Sequence, residues 1–210
     1  MLSVRHLSLS LPRAPLTGPL SFDVAKSDIV TLMGPSGCGK SSLLSWMVGA
    51  LTAPLRASGE LWLDARRIDT LPTASRRIGI LFQDALLFDH FSVGQNLLLA
   101  LPASLQGAAR HDAVQHALER AGMGDFASRD PATLSGGQRA RIALLRALLS
   151  QPQALLLDEP FSRLDAERRD DFRQWVFAEV RRLHIPVVQV THDAQDVPPG
   201  GSVIQLAVTQ

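Results

Sequence analysis

Nine consecutive residues, Gly34-Pro35-Ser36-Gly37-Cys38-Gly39-Lys40-Ser41-Ser42, carry a chemistry that their types and order define. The pattern is G-x-x-x-x-G-K-S without a gap. Its glycines let the backbone curl so that successive N–H groups turn inward on an anion. An apolar run, Ile29 to Met33, precedes it, and a helix-forming stretch, Ser42 to about Val48, follows. Strand, glycine loop and helix form the setting of a phosphate-binding loop, because the helix start adds free N–H groups and the positive end of its dipole. Lys40 supplies a mobile charge for β- and γ-phosphates, and the Ser41 hydroxyl suits Mg²⁺. Alone, the loop says nucleoside triphosphate, a property common to kinases, GTPases and motor ATPases.

A second cradle stands at Leu134-Ser135-Gly136-Gly137-Gln138, just before another helix. Two glycines, a hydroxyl and an amide at a helix start make an anion site. One nucleotide does not need two cradles. Two chains facing head to tail do, each closing the other's glycine loop. Asp158 ends the apolar strand that begins at Ala154, and is suited to hold Mg²⁺ through its water shell beside Ser41. Glu159 follows it, placed to orient or deprotonate an attacking water. His192 ends a neighbouring apolar strand and is placed for the γ-phosphate and that water. Gln83 ends a third strand and could reach the same metal. Singly, His192 reads first as a surface histidine and Gln83 as a strand end, and Asp158-Glu159 has a turn cap as its alternative. Their spacing from the glycine loop favours a catalytic set, since in-line attack on a γ-phosphate needs mostly positioning and charge neutralisation.

The elements that must place these residues follow from periodicity. Strands are predicted over Ser3 to Leu11, Leu20 to Val24, Ile29 to Met33, Glu60 to Leu63, Ile78 to Phe82, Ala154 to Asp158, Val187 to Thr191 and Val203 to Val208. Pro12, Pro15, Gly18 and Pro19 predict a turn, and Ala53 to Ser58 a loop. Helices are predicted over Ser92 to Leu101, Arg110 to Ala121 and Gly136 to Leu149. Another has the apolar face Phe172, Trp175/Val176, Val180 and Leu183, with Asp165 as its N-cap and Pro186 as its stop. Residues 84–133 show no strand pattern and read as a helical lobe set into the core. The fold class is α/β: a mostly parallel sheet covered by helices, an antiparallel β portion, and the inserted lobe, in one domain spanning 1–210.

With 210 residues the chain can bury one sizeable core. A formal net charge of +1 offers no electrostatic case for a nucleic-acid partner. The one cysteine, Cys38, implies no disulfide framework. Residues 91–109 are uncharged, but Gln95, Asn96, Pro102 and Gln106 interrupt them, so no membrane span is predicted. The N-terminus lacks the plan of a signal peptide.

Taken together, these motifs resemble those of the ATP-binding subunits of ABC transporters, over nearly the whole chain. Leu134 to Gln138 matches the signature motif and Gln83 the Q-loop glutamine. Leu155 to Glu159 matches the Walker B strand, Ser162-Arg163-Leu164-Asp165 the D-loop, and His192, in Thr191-His192-Asp193, the switch histidine. Gln83-Asp84 followed by Leu86-Leu87-Phe88 and Val93-Gly94-Gln95-Asn96 looks most like the ATPases of bacterial binding-protein-dependent importers. The resemblance implies a P-loop NTPase core using ATP and Mg²⁺. It makes Glu159, His192 and Lys40 catalytic and puts Ser41, Gln83 and Asp158 at the metal. It also implies a homodimer on ATP binding, two integral-membrane permease subunits and, through them, a solute-binding protein. The expected place is the cytoplasmic face of the bacterial inner membrane, as a peripheral subunit. The ATPase of an exporter or lipoprotein-release system would share every catalytic motif. A soluble ABC ATPase acting on ribosomes, DNA or iron–sulfur assembly commonly adds tandem domains, coiled-coil insertions or basic tails, which this sequence lacks. A P-loop metabolite kinase would not need Ser135 to Gln138.

Three departures stand out. The family usually stacks an aromatic ring on adenine near the end of the first strand; the matching residue is Leu11, and His6 is the nearest polar candidate. Arg163 replaces a small residue of the D-loop. The sequence leaves no room after His192 for a C-terminal regulatory domain.

Overall fold

The computed structural model describes residues 1–162, 164 and 166–207, and for 166–168 the backbone only. Arg163, Asp165 and Val208, on which the D-loop charge, a helix cap and the last strand's end fall, lie outside the described residues. In chain order, β1 (Leu2–Leu11), β2 (Ala14–Val24) and β3 (Ile29–Met33) lead into the glycine loop and α1 (Lys40–Val48). Next come β4 (Arg56–Leu63), β5 (Arg66–Arg67), α2 (Thr73–Arg76) and β6 (Ile78–Leu81). A helical stretch contains α3 (Val93–Leu98), α4 (Ala108–Arg120) and α5 (Gly136–Leu149). The chain then runs through β7 (Ala154–Asp158), α6 (Ala166–Leu183), β8 (Val187–Thr191) and β9 (Ser202–Gln205).

The strands form two sheets. One, in the order β6-β7-β8-β3-β9, is parallel throughout; the other, β2-β1-β4-β5, is antiparallel throughout. Side chains alternate across the parallel sheet, as its pleat requires. Leu155, Leu157, Val187 and Ile29 point into a core shared with α5, α6 and the lobe helices. Ala154, Leu156, Val188, Val190, Val30 and Leu32 point into a second core shared with α1 and the antiparallel sheet. A strand buried on both faces has no polar side, which is why these sequences read as continuous apolar runs. Helices cover one face, as predicted; on the other, α1 shares the work with the antiparallel sheet.

The predicted turn over Pro12 to Pro19 is confined to Pro12 and Arg13, and β2 continues through Pro15, Gly18 and Pro19. That is possible because β2 is an edge strand and its pairing with β1 slips register three times. The predicted loop over Ala53 to Ser58 likewise yields its last residues to β4. Among the described residues of 84–133 there is no strand, but α3 is shorter than predicted. It starts with a capping box in which the Ser92 hydroxyl accepts from the Gln95 amide and the Gln95 side chain accepts from the Ser92 amide. The α5 helix packs against α3, α4, α6 and β6, tying the lobe to the sheet.

Candidate active site

β6, β7, β8 and β3 are parallel neighbours, so the loops that leave their C-terminal ends emerge along one edge. Those loops carry Gln83, Asp158-Glu159, His192 and the glycine loop. Such an edge is where open parallel sheets present their ligand-binding residues.

The glycine loop is built as a cradle. Gly37 and Gly39 take φ of 84° and 93°, left-handed conformations that favour glycine. Helix α1 has Gly39 as its N-cap, with no side-chain cap bond and no acid in its first turn, so its first amides are left to an external acceptor. The Lys40 ammonium is buried within the loop and donates to the carbonyls of Gly34 (2.7 Å) and Pro35 (3.0 Å). Cys38 is fully buried, its thiol packed toward Gly34. A cavity of about 270 Å³ over the loop is lined by Ser36, Gly37, Gly39, Lys40, Ser41, Ser42, Glu159 and Leu16. Leu16 was hidden in the sequence by the prolines around it, which suggested a turn; it packs against Gly39 from β2. Leu11, by contrast, lies at the hairpin end, 41% exposed, and outside this lining.

Two contacts join the loops. The Ser41 hydroxyl donates to Asp158 Oδ1 at 2.9 Å. His192 Nδ1 lies 2.9 Å from Glu159 Oε2. Burial raises the Asp158 carboxyl above its ordinary pKa; the Ser41 bond opposes this, Glu159 adds to it and Lys40 opposes it. Glu159 is held at φ 45°, an uncommon conformation for a side chain of its kind, and its amide donates to Val190 of β8. Gln83 is exposed and shares with Glu159 a separate cleft, lined also by Leu86, Arg139 and Gly136.

The second cradle is a capping box. The Ser135 hydroxyl accepts from the Gln138 amide (3.3 Å), and the Gln138 side chain accepts from the Ser135 amide (3.0 Å). Gly136 and Gly137 open α5 with amides outside the intrahelical ladder. Ser135 and Gln138 line a groove with Gly137 and Arg141, distinct from the cavity over the glycine loop. The two cradles of one chain therefore do not share a cavity.

Arg76 escaped the sequence reading. Nearly buried, it donates to the carbonyls of Trp46, Met47, Asp69 and Leu71, and so caps the C-terminal end of the helix whose other end forms the glycine loop. Nothing local in the sequence marks it, because its partners lie up to 30 residues away.

A glycine loop with lysine and serine, an acidic pair at the C-terminal end of β7, one strand removed in the same sheet, and the parallel order of that sheet define a P-loop nucleotide-binding protein. The family described as ABC transporter matches residues 17–162. A protein of Escherichia coli (strain K12) called an uncharacterized ABC transporter ATP-binding protein, YnjD, is 69% identical over 99% of this chain and 95% of its own length. The molybdenum import ATP-binding protein ModC of Rhodopseudomonas palustris is 41% identical over 84% of this chain and 48% of its own. The sulfate/thiosulfate import ATP-binding protein CysA of Gloeobacter violaceus is 39% identical over 84% and 51%. This chain thus spans about half the length of those import proteins. The ATP-binding cassette MJ0796, solved as a post-hydrolysis dimer with ADP and Pi, superposes with a TM-score of 0.81 at 26% identity, over 98% of this chain and 94% of that one. The chain belongs to the ABC transporter family: it is an ATP-binding cassette and an ATPase.

Proposed function

We propose that this ATPase powers solute import through two integral-membrane permease subunits, by closing head to tail on ATP. The observation that carries the catalytic part is the convergence of Ser41–Asp158 and Glu159–His192 at one sheet edge beside the glycine loop. In this reading Gly34 to Ser42 hold the triphosphate, with Lys40 on the β- and γ-phosphates. Glu159 takes a proton from the attacking water, and His192 holds the carboxylate and meets the γ-phosphate. Ser41 and Asp158 offer adjacent oxygens, a donor set that fits Mg²⁺; Gln83 would approach from the neighbouring cleft. Bound Mg²⁺ supplies charge neutralisation on the phosphates. Among the described residues no group of three or more His, Cys, Asp or Glu is placed to hold a metal alone. Ser135 to Gln138 then close the partner chain's site, in keeping with the dimers seen for MJ0796. Mg²⁺-dependent phosphate release by the purified chain, and its co-purification with membrane subunits encoded by adjacent genes, test the proposal.

Import is supported by the relatives named for molybdenum and sulfate/thiosulfate import, and by the segment from Asp84 to Ser92. Leu86 and Phe88 are exposed there, at 57% and 45%. The loop is rigid in construction. Asn96, fully buried, pairs with the amide and carbonyl of Phe88 and with the carbonyls of Phe91 and Ser92; Arg146 donates to Leu86 and Ala85. A preformed apolar tip suits a permease contact. Leu87, between Leu86 and Phe88 in sequence, is buried in the core instead. Accordingly, Leu86→Ser with Phe88→Ser should lose co-purification with the permease while ATP hydrolysis by the isolated chain persists. Leu87→Ser should instead destabilise the fold by about 2–5 kcal/mol, the range for emptying a buried leucine site. Retained co-purification in the double variant would move the contact elsewhere. Among the described residues no helix is long and apolar enough to cross a membrane, so attachment to the inner membrane's cytoplasmic face would come through that permease.

Leucine at position 11 offers no π-face to a base, which forgoes about 0.5–1.5 kcal/mol of stacking. Discrimination between ATP and GTP should then be less than about tenfold, and Leu11→Tyr should tighten ATP binding. Steady-state hydrolysis with each nucleotide checks this. A chain that hydrolyses ATP and leaves GTP untouched would assign base recognition to another side chain.

A further inference from the structure

The Glu159–His192 contact spans two loops, one after β7 and one after β8. The β7–β8 ladder and the bond from the Glu159 amide to the Val190 carbonyl hold the two strand ends in register. The helix α6 adds side-chain ties across the loops themselves. Its Arg169 and Arg173 lie one turn apart on the same face, and each touches both loops. Arg169 donates to the carbonyl of Leu164, in the loop after β7, at 3.4 Å and to the carboxylate of Asp193, next to His192, at 2.9 Å. Arg173 lies over the ring of Phe161, two residues beyond Glu159, at 5.7 Å and donates to Asp196 Oδ1 at 3.1 Å.

On the β8 side the anchor is continuous. The Thr191 hydroxyl donates to Asp196 Oδ2 (2.9 Å) and accepts from the Asp193 amide (3.1 Å). The Gln189 side chain, fully buried, donates to the Asp196 carbonyl (2.8 Å). The residues on either side of His192 are therefore both tied down, while His192 itself remains 60% exposed at its side chain. The Arg173–Asp196 pair is largely buried, at 15% and 4% side-chain exposure; Arg173 also meets Asp170 at 3.0 Å, so it is the loss of Arg173 that leaves the buried Asp196 carboxylate without its ion-pair partner. Arg169–Asp193 is more open, at 25% and 30%.

We propose that Arg169 and Arg173 are positioning residues that set His192 against Glu159, making α6 the element that governs the geometry of the hydrolytic pair. The inference rests on the catalytic reading of Glu159 and His192 given above. It accounts for an expensive arrangement, two arginines and two aspartates gathered behind a single exposed histidine.

The test is a set of variants of the full chain, read as turnover, KM and equilibrium ATP binding. Arg169→Gln and Asp193→Asn, at the open pair, should each lower kcat about 5- to 30-fold, a loss typical of groups that orient others. KM and the dissociation constant for ATP should stay within about twofold, because neither residue lines the phosphate cavity. The exchanged pair, Arg169→Asp with Asp193→Arg, should regain most of that loss, which a general loss of packing would not allow. Introduced into His192→Ala and followed in single turnover, Arg169→Gln should cost less than about twofold more, since its effect passes through the histidine. A loss of equal size in that background, or a single variant within twofold of the parent, overturns the inference. His192→Ala with unchanged turnover would overturn the catalytic reading itself, and the positioning role with it. Arg173→Gln and Asp196→Asn extend the series; if they do not fold, the open pair carries the test alone.

Discussion

Replacing Glu159 by Gln should lower ATP turnover by about 10²–10⁴-fold, the cost of losing a general base, and should leave nucleotide binding within about twofold. The exchange keeps the size and planarity of the side chain and removes its ability to take a proton. The carboxylate meets His192 at 2.9 Å, a contact the amide of Gln can still make as a hydrogen bond. The backbone at Glu159 is fixed by its amide bond to Val190, and its carbonyl accepts from Ser162. The Ser41–Asp158 contact is independent of it. Because hydrolysis is what would reopen an ATP-closed dimer, the variant should accumulate as that dimer. Phosphate release, equilibrium nucleotide binding and sedimentation together check this. Turnover near the parent level would remove Glu159 from the reaction.

A second substitution should have an effect as large by another route. Ser135→Arg ought to leave nucleotide binding by the single chain intact and abolish both dimerisation and turnover. Ser135 lies outside the cavity over its own glycine loop, so a bulky cation there should not disturb the triphosphate that loop holds. It does stand at the open start of α5, where it removes the cap, at a cost of about 0.5–2 kcal/mol, and blocks the approach of a second chain. The parent chain should be largely monomeric without nucleotide and dimeric with ATP, by linkage of binding to association. An ATP-dependent dimer of Ser135→Arg in sedimentation would contradict head-to-tail closure.

The parts of this fold that were legible in the sequence are those whose physics is local. β7, α5 and β8 run over the residues predicted for them, because a strand buried on both faces is an unbroken apolar run and α5 starts at a capping pair. The glycine loop is legible for the same reason, since its residues are contiguous. β2 was half lost, because Pro15, Gly18 and Pro19 signal a turn unless the strand is known to be an edge, and edge position is a tertiary fact. Leu16 was lost with it. Leu87 and Phe88 look alike in sequence, yet one is buried and the other exposed, a difference made by Asn96 and Arg146 from other elements. Arg76, Arg169 and Arg173 act on partners far along the chain. The spacing of the last two would have shown a shared helix face, without showing what it meets.

The capping box at Ser135 has a consequence for what the start of α5 can recognise. A hydroxyl can accept and donate, and so can a primary amide. In the box the Ser135 oxygen accepts from the Gln138 amide, and the Gln138 carbonyl oxygen accepts from the Ser135 amide. Both accepting atoms are thereby turned toward the chain's own backbone. The box leaves uncommitted the Ser135 proton, the two protons of the Gln138 amide nitrogen and the N–H groups of Gly136 and Gly137. Two amphoteric side chains have become a surface of donors. Such a surface rewards a partner rich in lone pairs and poor in protons, such as a terminal phosphate, and offers little to an ammonium or to another donor. The interaction that starts the helix thus also sets the polarity of the face it presents.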